Sequence, residues 1–378
     1  MEETVIIRYS EIAVKGRGTR ARMEKLLASN ISEALSRFNV KASISVIPGR
    51  LVLREVSDVQ GALRAVSRVF GVKSASPAVY YRSRGLDDIV SVAHDYFRDK
   101  VKGKVFMVRV RRVGKHHFTS KDVERLVGAS LLAYSRGVDL ENPEYTAFIE
   151  IRDNDVYMYD TMVPGPGGLP LGSEDPVMVL FSGGFDSTVA SWRLMRRGCP
   201  VTLLYFDLGS EYALSIALEA AKRLASEWSF GHRLRVAVVN FRGPTMVISG
   251  LVAPHYRVLV MRRIMLEQAA RMARSLGIEA LATGESVGQV ASQTIRNLYL
   301  ISSSLELPVL RPLAGSDKDE IVEEARRIGL YDIVSRQVEL CGQAPNPVPR
   351  ASSSEFWREY EKVRELSQVE LPVRVIEL

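Results

Sequence analysis

Short apolar segments that alternate with helical patterns constrain the second half of this 378-residue chain more than any other feature. They follow a Pro/Gly-rich stretch over residues 164–170 and cover 177–181, 201–206, 234–239, 280–283 and 308–310. Strands that alternate with helices form a parallel, doubly wound sheet, whose ligands bind just beyond the carboxyl ends of the strands. The sequence therefore predicts an α/β domain with its chemistry in the loops after these strands.

The Pro/Gly-rich stretch predicts a domain boundary, because it can continue neither a helix nor a central strand. The part before it mixes helical and strand patterns, which predicts smaller α+β units. Pro48 and Gly49 separate two apolar runs in the manner of a hairpin, and Thr19 is placed to cap a helix that ends near Phe38. The elements expected there are strands over 5–9, 42–47, 51–53 and 105–112 and helices over 19–38, 59–69 and 86–99.

The excess of positive charge lies entirely before this boundary. Residues 1–171 contain 27 lysines and arginines against 20 acidic residues, whereas residues 172–378 contain 24 of each. In the strand over 105–112, Val108 and Val110 should face inward and Arg109 and Arg111 outward, because side chains alternate along a strand. Such a ridge suits RNA phosphates, and a solvated basic surface that protects an edge strand is the alternative. Further cations stand just beyond it: Arg112, Lys115, His116 and His117.

Composition excludes several classes of protein. The chain has no run of about 18 apolar residues that could cross a membrane, and its first residues are acidic where a secretory leader is basic and apolar. We therefore expect a cytoplasmic protein without a membrane partner. Its two cysteines, Cys199 and Cys341, provide neither a disulfide framework nor a CxxC pair for zinc or an iron-sulfur cluster. Any sulfur chemistry must use one or both of them.

The sequence SGGFDS over residues 182–187 predicts a phosphate-binding loop. It follows the first apolar strand of the second half and precedes a helix, so glycine backbone and free helix amides can approach an anion, with Ser182 and Ser187 as hydroxyl donors. The loop lacks the lysine of GxxxxGK[ST] and the spacing of GxGxxG, which excludes P-loop NTPases and dinucleotide oxidoreductases. Asp186 is an acid in the first turn of this helix, where it complements the helix dipole.

Two later segments contain residues suited to the same chemistry. Residues 284–294 combine small residues with amide side chains, which suits adenine or ribose recognition but also a polar turn before a helix. Lys318 follows Ser316, which with Asp319 forms a predicted capping box. A cation is disfavoured at the start of a helix, so Lys318 is better explained if it contacts a phosphate.

The two cysteines occupy different settings. Cys341 follows a predicted helix in a Gly/Pro-rich loop, which is the accessible setting that a reactive thiol needs. Cys199 lies between Gly198 and Pro200 at the mouth of a strand, which is typical of a small buried apolar residue.

SGGFDS resembles the PP-loop of ATP pyrophosphatases, which cleave ATP between the α and β phosphates and transfer AMP to an acceptor oxygen. Combined with other segments, it makes the chain similar to the tRNA 4-thiouridine synthetases over nearly its whole length. The other segments that carry this resemblance are 9–16, 167–170, 283–294 (TGESVGQVASQT), 310–313 and 339–342.

The resemblance implies a fold and an activity. The implied domains are ferredoxin-like over 1–58, a THUMP RNA-binding domain over 59–164, a linker over 165–173 and a doubly wound PP-loop ATP pyrophosphatase domain over 174–378. The implied enzyme uses ATP and Mg²⁺ to adenylate O4 of a tRNA uridine, at position eight, and replaces that oxygen with sulfur to give 4-thiouridine. Its partners would be tRNA, a sulfur donor and a second copy in a homodimer.

The same resemblance assigns roles to individual residues. Asp186, Lys318 and Cys341 would be catalytic, and Asp186 would also hold Mg²⁺. The nucleotide would lie on Leu180, Phe181, Ser182, Gly183, Gly184, Ser187, Tyr205, Phe206, Arg262, Gly284 and Gln293. The RNA would contact Lys15, Arg17, Arg109, Arg111, Arg112 and Lys115.

One departure from the family leaves the sulfur source open. Longer members continue into a rhodanese domain, whereas this sequence ends at Leu378 with only a short helix over 354–366 expected after the loop of Cys341. Sulfur could come from a Cys341 persulfide charged by a cysteine desulfurase, from a separate rhodanese-like protein or from free sulfide. The rival functions are another PP-loop enzyme, such as an amide-forming ligase, and a non-catalytic tRNA-binding module.

Overall fold

A computed structural model describes residues 1–9, 11–338 and 348–378. The chain divides into two compact units, Met1–Gly168 and Leu169–Leu378, and the division falls inside the Pro/Gly-rich stretch. Each unit has its own buried apolar core. Among the described residues, none of the helices is both long and apolar enough to cross a bilayer.

Unit 1, Met1–Gly168, is built on a mixed sheet. Its strands are β1 (Glu2–Arg8), β2 (Ser43–Ile47), β3 (Arg50–Arg54), β4 (Ser74–Arg82), β5 (Val105–Val113), β6 (Gly137–Val138), β7 (Tyr145–Arg152), β8 (Asp155–Tyr159) and β9 (Val163–Pro164). Its helices are α1 (Arg17–Arg37), α2 (Val59–Val66), α3 (Leu86–Phe97) and α4 (Ser120–Leu131). The strand order is β2-β3-β1-β4-β8-β7-β5-β6, with β9 paired to β4.

Side-chain alternation gives this sheet two different faces. On one face of the sheet, Val108 and Ile149 pack in a core with helices α3 and α4, which cover that face. The opposite face carries a small aromatic cluster that includes Tyr157 and Tyr159. The alternation expected for β5 is confirmed, because Val108 is buried while Arg109 and Arg111 are exposed.

Local sequence explains where several elements begin. Ile47 pairs with Arg50, so Pro48 and Gly49 form the predicted hairpin turn, and Gly49 has the positive φ of 77° that such a turn requires. The predicted cap of α1 is wrong. That helix begins at Arg17, because the carbonyl of Gly16 already accepts the amide of Arg20 at 2.8 Å, and Thr19 lies inside the first turn.

Unit 2, Leu169–Leu378, contains the predicted α/β sheet. Its strands are β10 (Val177–Leu180), β11 (Val201–Asp207), β12 (Arg235–Asn240), β13 (Leu281–Ala282), β14 (Val309–Leu310) and β15 (Val373–Glu377). Its helices are α5 (Phe185–Arg196), α6 (Glu211–Trp228), α7 (Arg242–Leu251), α8 (Arg257–Ser275), α9 (Ile295–Ser302), α10 (Lys318–Arg327), α11 (Tyr331–Val334) and α12 (Ser353–Glu361). Every strand that the sequence predicted is present and parallel. The strand β15 was not predicted, and it pairs antiparallel with β12 at the edge of the sheet.

The strand order places a crevice beside β10. The order is β14-β13-β10-β11-β12-β15, so the chain runs from β10 to β11 and β12 on one side and returns to β13 on the other. Helices α5, α6, α10 and α11 pack together, whereas α8 packs with α7, α9 and α12 in a separate layer. At such a reversal the loops after two neighbouring strands separate, and ligands of doubly wound sheets bind there. The loops after β10 and β13 are therefore the place to look for a site.

Candidate active site

The SGGFDS loop connects β10 to α5 as a tight turn. Gly183 has a φ of +77°, and a Cβ atom on it would lie 2.4 Å from the Cα of Ala217 in α6. Only glycine fits this position. The hydroxyls of Ser182 and Ser187 lie 3.1 Å apart, and the Ser187 hydroxyl accepts the backbone amide of Ser182 at 3.1 Å.

The N-terminus of α5 is open toward a ligand. Gly184 is the N-cap residue, and among the residues that the structure describes no side-chain hydrogen bond caps the helix. The first amides of α5 are therefore available to an anion, which the helix dipole also favours. The turn has the form of the phosphate cradle that the sequence predicted.

Asp186, in the first turn of α5, joins three elements. Its Oδ1 accepts the ammonium of Lys318 at 2.7 Å, and its Oδ2 accepts the side-chain amide of Gln289 at 3.1 Å. Lys318 is the first residue of α10, at the helix position that disfavours a cation. The pair with Asp186 offsets that cost, and the Lys318 side chain stays 46% exposed, so it can be released to a phosphate.

The predicted capping box of α10, formed by Ser316 and Asp319, is wrong. Asp317 is the N-cap, and its carboxylate accepts the amide of Glu320 at 2.8 Å. Ser316 does not cap the helix, because its hydroxyl accepts the guanidinium of Arg193 at 2.9 Å. The serine instead ties the start of α10 to α5, which fixes the backbone from which Lys318 extends.

The loop after β13 packs directly on the start of α5. A Cβ atom on Gly284 would lie 2.5 Å from the carbonyl carbon of Asp186, so this contact also requires glycine. The next residue, Glu285, is buried. Its carboxylate accepts hydrogen bonds from the side chains of Thr283 at 2.8 Å, Arg262 at 3.2 Å and Arg311 at 2.8 Å. The Glu285 carboxylate thereby fixes Arg262, which extends from α8.

These elements enclose a cavity of about 470 Å³. Strands β10 and β11 and helix α8 supply its apolar wall, and the loops after β10 and β13 with the start of α10 supply its polar wall. The predicted site residues that line it are Leu180, Phe181, Ser182, Gly184, Asp186, Ser187, Tyr205, Phe206, Arg262, Gly284, Gln293 and Lys318. Gly183 shapes the loop from behind. Cys341 lies outside the described residues.

Sequence reasoning missed three contributors to this cavity. Glu285 and Gln289 stand inside the segment 283–294, of which only Gly284 and Gln293 were selected as site residues. Gln337 donates to the carbonyl oxygens of Ser182 and, at 3.1 Å, of Ala213, so it holds the phosphate loop against α6. A polar residue in a loop after a strand was the only signal for Glu285 and Gln289. Gln337 carried no signal.

Comparisons with known proteins decide the family. The model described as "Thiamine biosynthesis protein (ThiI)" matches residues 172–365, and a probable tRNA sulfurtransferase of Aeropyrum pernix is 57% identical over 96% of this chain and 92% of its own. This chain belongs to the ThiI family. A probable tRNA sulfurtransferase of Sulfurisphaera tokodaii is 39% identical over 97% of this chain and 99% of its own. The ThiI ferredoxin-like domain matches residues 4–76, and the THUMP domain matches residues 83–160.

Solved structures extend the ThiI comparison to three dimensions. A 4-thiouridine synthetase in complex with RNA and bound ATP is 29% identical, with a TM-score of 0.82 and complete coverage of both chains. A Pyrococcus horikoshii protein is 25% identical, with a TM-score of 0.67 over 87% of this chain and all of its own. The predicted fold class is confirmed, including the ferredoxin-like and THUMP parts.

The basic residues predicted to contact RNA lie in the ThiI ferredoxin-like and THUMP parts. Lys15 and Arg17 are exposed where α1 begins. Arg109 and Arg111 project from β5, on the sheet face opposite the helices, and Lys115 is exposed beyond the strand. Arg112 is half-buried, and its guanidinium lies 2.9 Å from Nδ1 of His116, so it is less accessible than the others.

Cys199 is the cysteine of this ThiI-family chain that the structure describes. Cys199 is half-buried, so it is less buried than the sequence predicted. Burial, together with Glu174, raises the pKa of its thiol above the usual value. A raised pKa leaves little thiolate at neutral pH, so Cys199 is a poor nucleophile.

Proposed function

We propose that this ThiI-family chain is a tRNA uracil 4-sulfurtransferase, which adenylates O4 of a tRNA uridine with ATP and then replaces that oxygen with sulfur. The observation that carries the proposal is the meeting of Asp186, Lys318 and the SGGFDS loop at the reversal of the sheet. The names of the relatives and of the solved ATP and RNA complex support it.

ATP would span both walls of the cavity. The adenine ring suits the apolar wall around Phe181 and Phe206, because flat aromatic ligands are held in largely apolar pockets. The phosphates suit the open amides of α5 and the ammonium of Lys318. Arg262, fixed by Glu285, stands between these walls as a further cation.

The donor set fits magnesium. Mg²⁺ is bound in nucleotide sites by one or two carboxylates together with phosphate oxygens and water, and Asp186 offers one half-buried carboxylate at the phosphate loop. We therefore assign Asp186 as its protein ligand. When bound, the ion would neutralise the negative charge that develops on the leaving pyrophosphate.

Adenylation and sulfur addition are the two steps of the proposed reaction. The uracil O4 attacks the α phosphorus, the bond to pyrophosphate breaks with its electron pair, and the N3 proton passes to water, which leaves an O4-adenylated base. Lys318 stabilises the departing pyrophosphate by its charge. Hydrosulfide next adds to C4, the C4–O4 bond breaks as AMP leaves, and the hydrogen of hydrosulfide ends on N3. The product is 4-thiouridine.

Recognition of the tRNA would belong to unit 1. Its excess of cations and the exposed Lys15, Arg17, Arg109, Arg111 and Lys115 suit the phosphates of an RNA helix, which proteins contact mainly by shape and backbone. We also propose that Arg112 contacts the RNA and that the target is uridine at position eight. The proposed domain limits are 1–58 for the ferredoxin-like domain and 59–164 for the THUMP domain. We further propose that the protein is a cytoplasmic homodimer.

The proposal is tested by incubating the protein with ATP, magnesium, sulfide and unmodified tRNA, and by following the near-ultraviolet absorbance of 4-thiouridine. We expect thionation by the wild type and its loss in Asp186→Asn, while Asp175→Asn, an exposed acid of the same unit, keeps full activity. A wild type that binds tRNA but releases no pyrophosphate and forms no 4-thiouridine would overturn the proposal in favour of a tRNA-binding module.

The same assay separates the sulfur routes. With free sulfide, Cys341→Ser should remain active, because hydrosulfide attacks C4 directly. With a cysteine desulfurase or a rhodanese-like protein as donor, we expect Cys341→Ser to lose activity, since the burial of Cys199 leaves Cys341 as the better persulfide carrier. Full activity of the variant with a protein donor would remove Cys341 from the mechanism.

A further inference from the structure

Both oxygens of the Asp186 carboxylate accept hydrogen bonds from other elements. Its Oδ1 accepts the Lys318 ammonium at 2.7 Å, and its Oδ2 accepts the side-chain amide of Gln289 at 3.1 Å. Two cations at one carboxylate repel each other. A metal ion that uses Asp186 as its ligand must therefore take the place of the Lys318 ammonium.

The Lys318 ammonium can leave this ion pair at little cost. Its side chain is 46% exposed, and it also lies 5.3 Å from the ring of Phe185. Ion pairs that are this exposed contribute little free energy. The backbone of Lys318 is fixed independently of the pair, because Asp317 caps α10 and Arg193 holds Ser316. The side chain can therefore turn to a phosphate while its helix stays in place.

The charges around the cavity almost balance. Its described lining has four charged side chains, those of Asp186, Glu285, Arg262 and Lys318. Arg311, which donates to Glu285 at 2.8 Å, adds one positive charge beside them. A triphosphate carries several negative charges, and charges that enter a concave site must be paired there. The cavity is therefore better matched to a nucleotide that brings part of its own counter-charge.

We propose that the ion pair of Asp186 and Lys318 makes this cavity select the magnesium complex of ATP over free ATP. This inference rests on the proposed function, which assigns Asp186 as the ligand of magnesium. When Lys318 turns to a phosphate, Asp186 loses its counter-ion and stands near the phosphates as a like charge. A divalent ion on the nucleotide gives the carboxylate a new counter-ion in the same exchange. Free ATP brings none, so its binding is weakened.

The test measures how tightly the full chain binds an ATP analogue whose α–β bridge cannot be cleaved, by titration calorimetry in excess magnesium and in EDTA. We expect magnesium to tighten binding to the wild type about a hundredfold. Asp186→Asn keeps the size of the side chain and removes its charge. This variant should bind the metal-free analogue about tenfold more tightly than the wild type, and magnesium should add less than about threefold.

A second variant separates the ion pair from the carboxylate alone. Lys318→Met has no pair to break, so adding Asp186→Asn to it should tighten metal-free binding by about threefold or less. The control is Asp175→Asn, which changes an exposed acid of the same unit and should match the wild type in both media. Unchanged affinity for adenosine, which has no phosphate, shows that a variant keeps a folded site. Asp186→Ala replaces Asp186→Asn if the latter fails this check.

The inference is overturned if Asp186→Asn binds the metal-free analogue no more tightly than the wild type does, or if its magnesium effect survives. An equal gain from Asp186→Asn with and without Lys318→Met also overturns it, because the pair then plays no part. A wild type that binds the magnesium complex but makes no 4-thiouridine sinks the proposed function instead.

Discussion

Each of the two units buries a carboxylate among arginines. The two clusters differ in how much of the arginine side chains stays exposed. In unit 1 the side chain of Glu150 is 0% exposed, with Arg152 at 2.6 Å, Arg50 at 3.0 Å and Arg8 at 3.9 Å. Burial, opposed by Glu150, lowers the pKa of Arg50 to about 10. This cluster ties β1 and β3 to β7, and its three arginine side chains are at most 10% exposed.

The cluster of unit 2 lies at the cavity, which Glu285 and Arg262 help to line. The side chain of Glu285 is 8% exposed, and Arg262 and Arg311 keep 24% and 18% of their side chains exposed. In addition, Nη2 of Arg311 is buried without a partner among the described residues. Similar chemistry thus serves to join strands in unit 1 and to hold a cation at the edge of a cavity in unit 2. Burial of the arginines, rather than the pairing itself, separates the two uses.

The substitution Glu150→Gln tests how much the buried cluster stabilises unit 1, and it has the largest expected effect. The change leaves three buried guanidinium groups without a counter-charge, so we expect unit 1 to lose about 3–5 kcal/mol of stability. Urea denaturation of the full chain measures this loss, and tRNA affinity should fall with the folded population. ATP affinity should not change, because Glu150 belongs to the other unit.

The matched control for this change is Glu2→Gln. Glu2 pairs with Arg54 at 3.0 Å on the same sheet, but the two side chains are 41% and 25% exposed. An exposed pair contributes less than about 1 kcal/mol, so the control should unfold almost as the wild type does. Equal losses in the two variants would show that burial does not set the value of the Glu150 cluster.

Glu285→Gln should have a smaller effect on stability and a larger one on function. Both arginines keep part of their side chains exposed, so we expect a loss of about 1–3 kcal/mol, typical of a removed hydrogen-bond partner. Without its carboxylate, Arg262 loses its position, and the affinity for ATP should fall about tenfold. Titration calorimetry with ATP measures the second effect. A large loss of stability with unchanged ATP affinity would make both clusters structural.

The sequence predicted the α/β unit well because its signals are local. Each buried parallel strand appears as a short apolar run, and the glycines of SGGFDS mark the turn after β10. The edge strand β15 was not predicted. Four of its five residues are exposed, among them Val373 and Val375 at 43% and 60%, so it lacks the buried apolar run that marks the parallel strands.

The site was predictable only as far as single motifs carry it. Asp186 and Lys318 were chosen separately, and the structure brings them together from positions 132 residues apart. Glu285 and Gln289 were missed because their importance lies in their partners, which come from α8, α5 and the segment after β14. Pairing across the fold depends on packing that no local pattern encodes.

Asp160 is a third carboxylate with arginine or lysine partners, and its side chain is more exposed than those of Glu150 and Glu285. Its side chain is 25% exposed and accepts Lys100 at 2.8 Å and Tyr145 at 2.9 Å. Burial raises the pKa of this carboxyl, but hydrogen bonds from Lys100 and Tyr145 outweigh burial and hold the pKa below its ordinary value of 3.8. A depressed carboxyl pKa contributes stability above the ordinary value and loses it as the pH falls through the folded-state value.

We therefore expect Asp160→Asn to cost less than about 1 kcal/mol at pH 7, the smallest loss in the series. The difference from the wild type should begin to shrink as the pH falls below 3.8, and it should vanish only below the lower folded-state pKa, where both proteins are neutral at this position. Urea midpoints at pH 7, 5 and 3 measure it. A difference that does not shrink between pH 5 and pH 3 would come from lost packing rather than charge, and side-chain exposures of 0%, 8% and 25% would no longer order the three carboxylates.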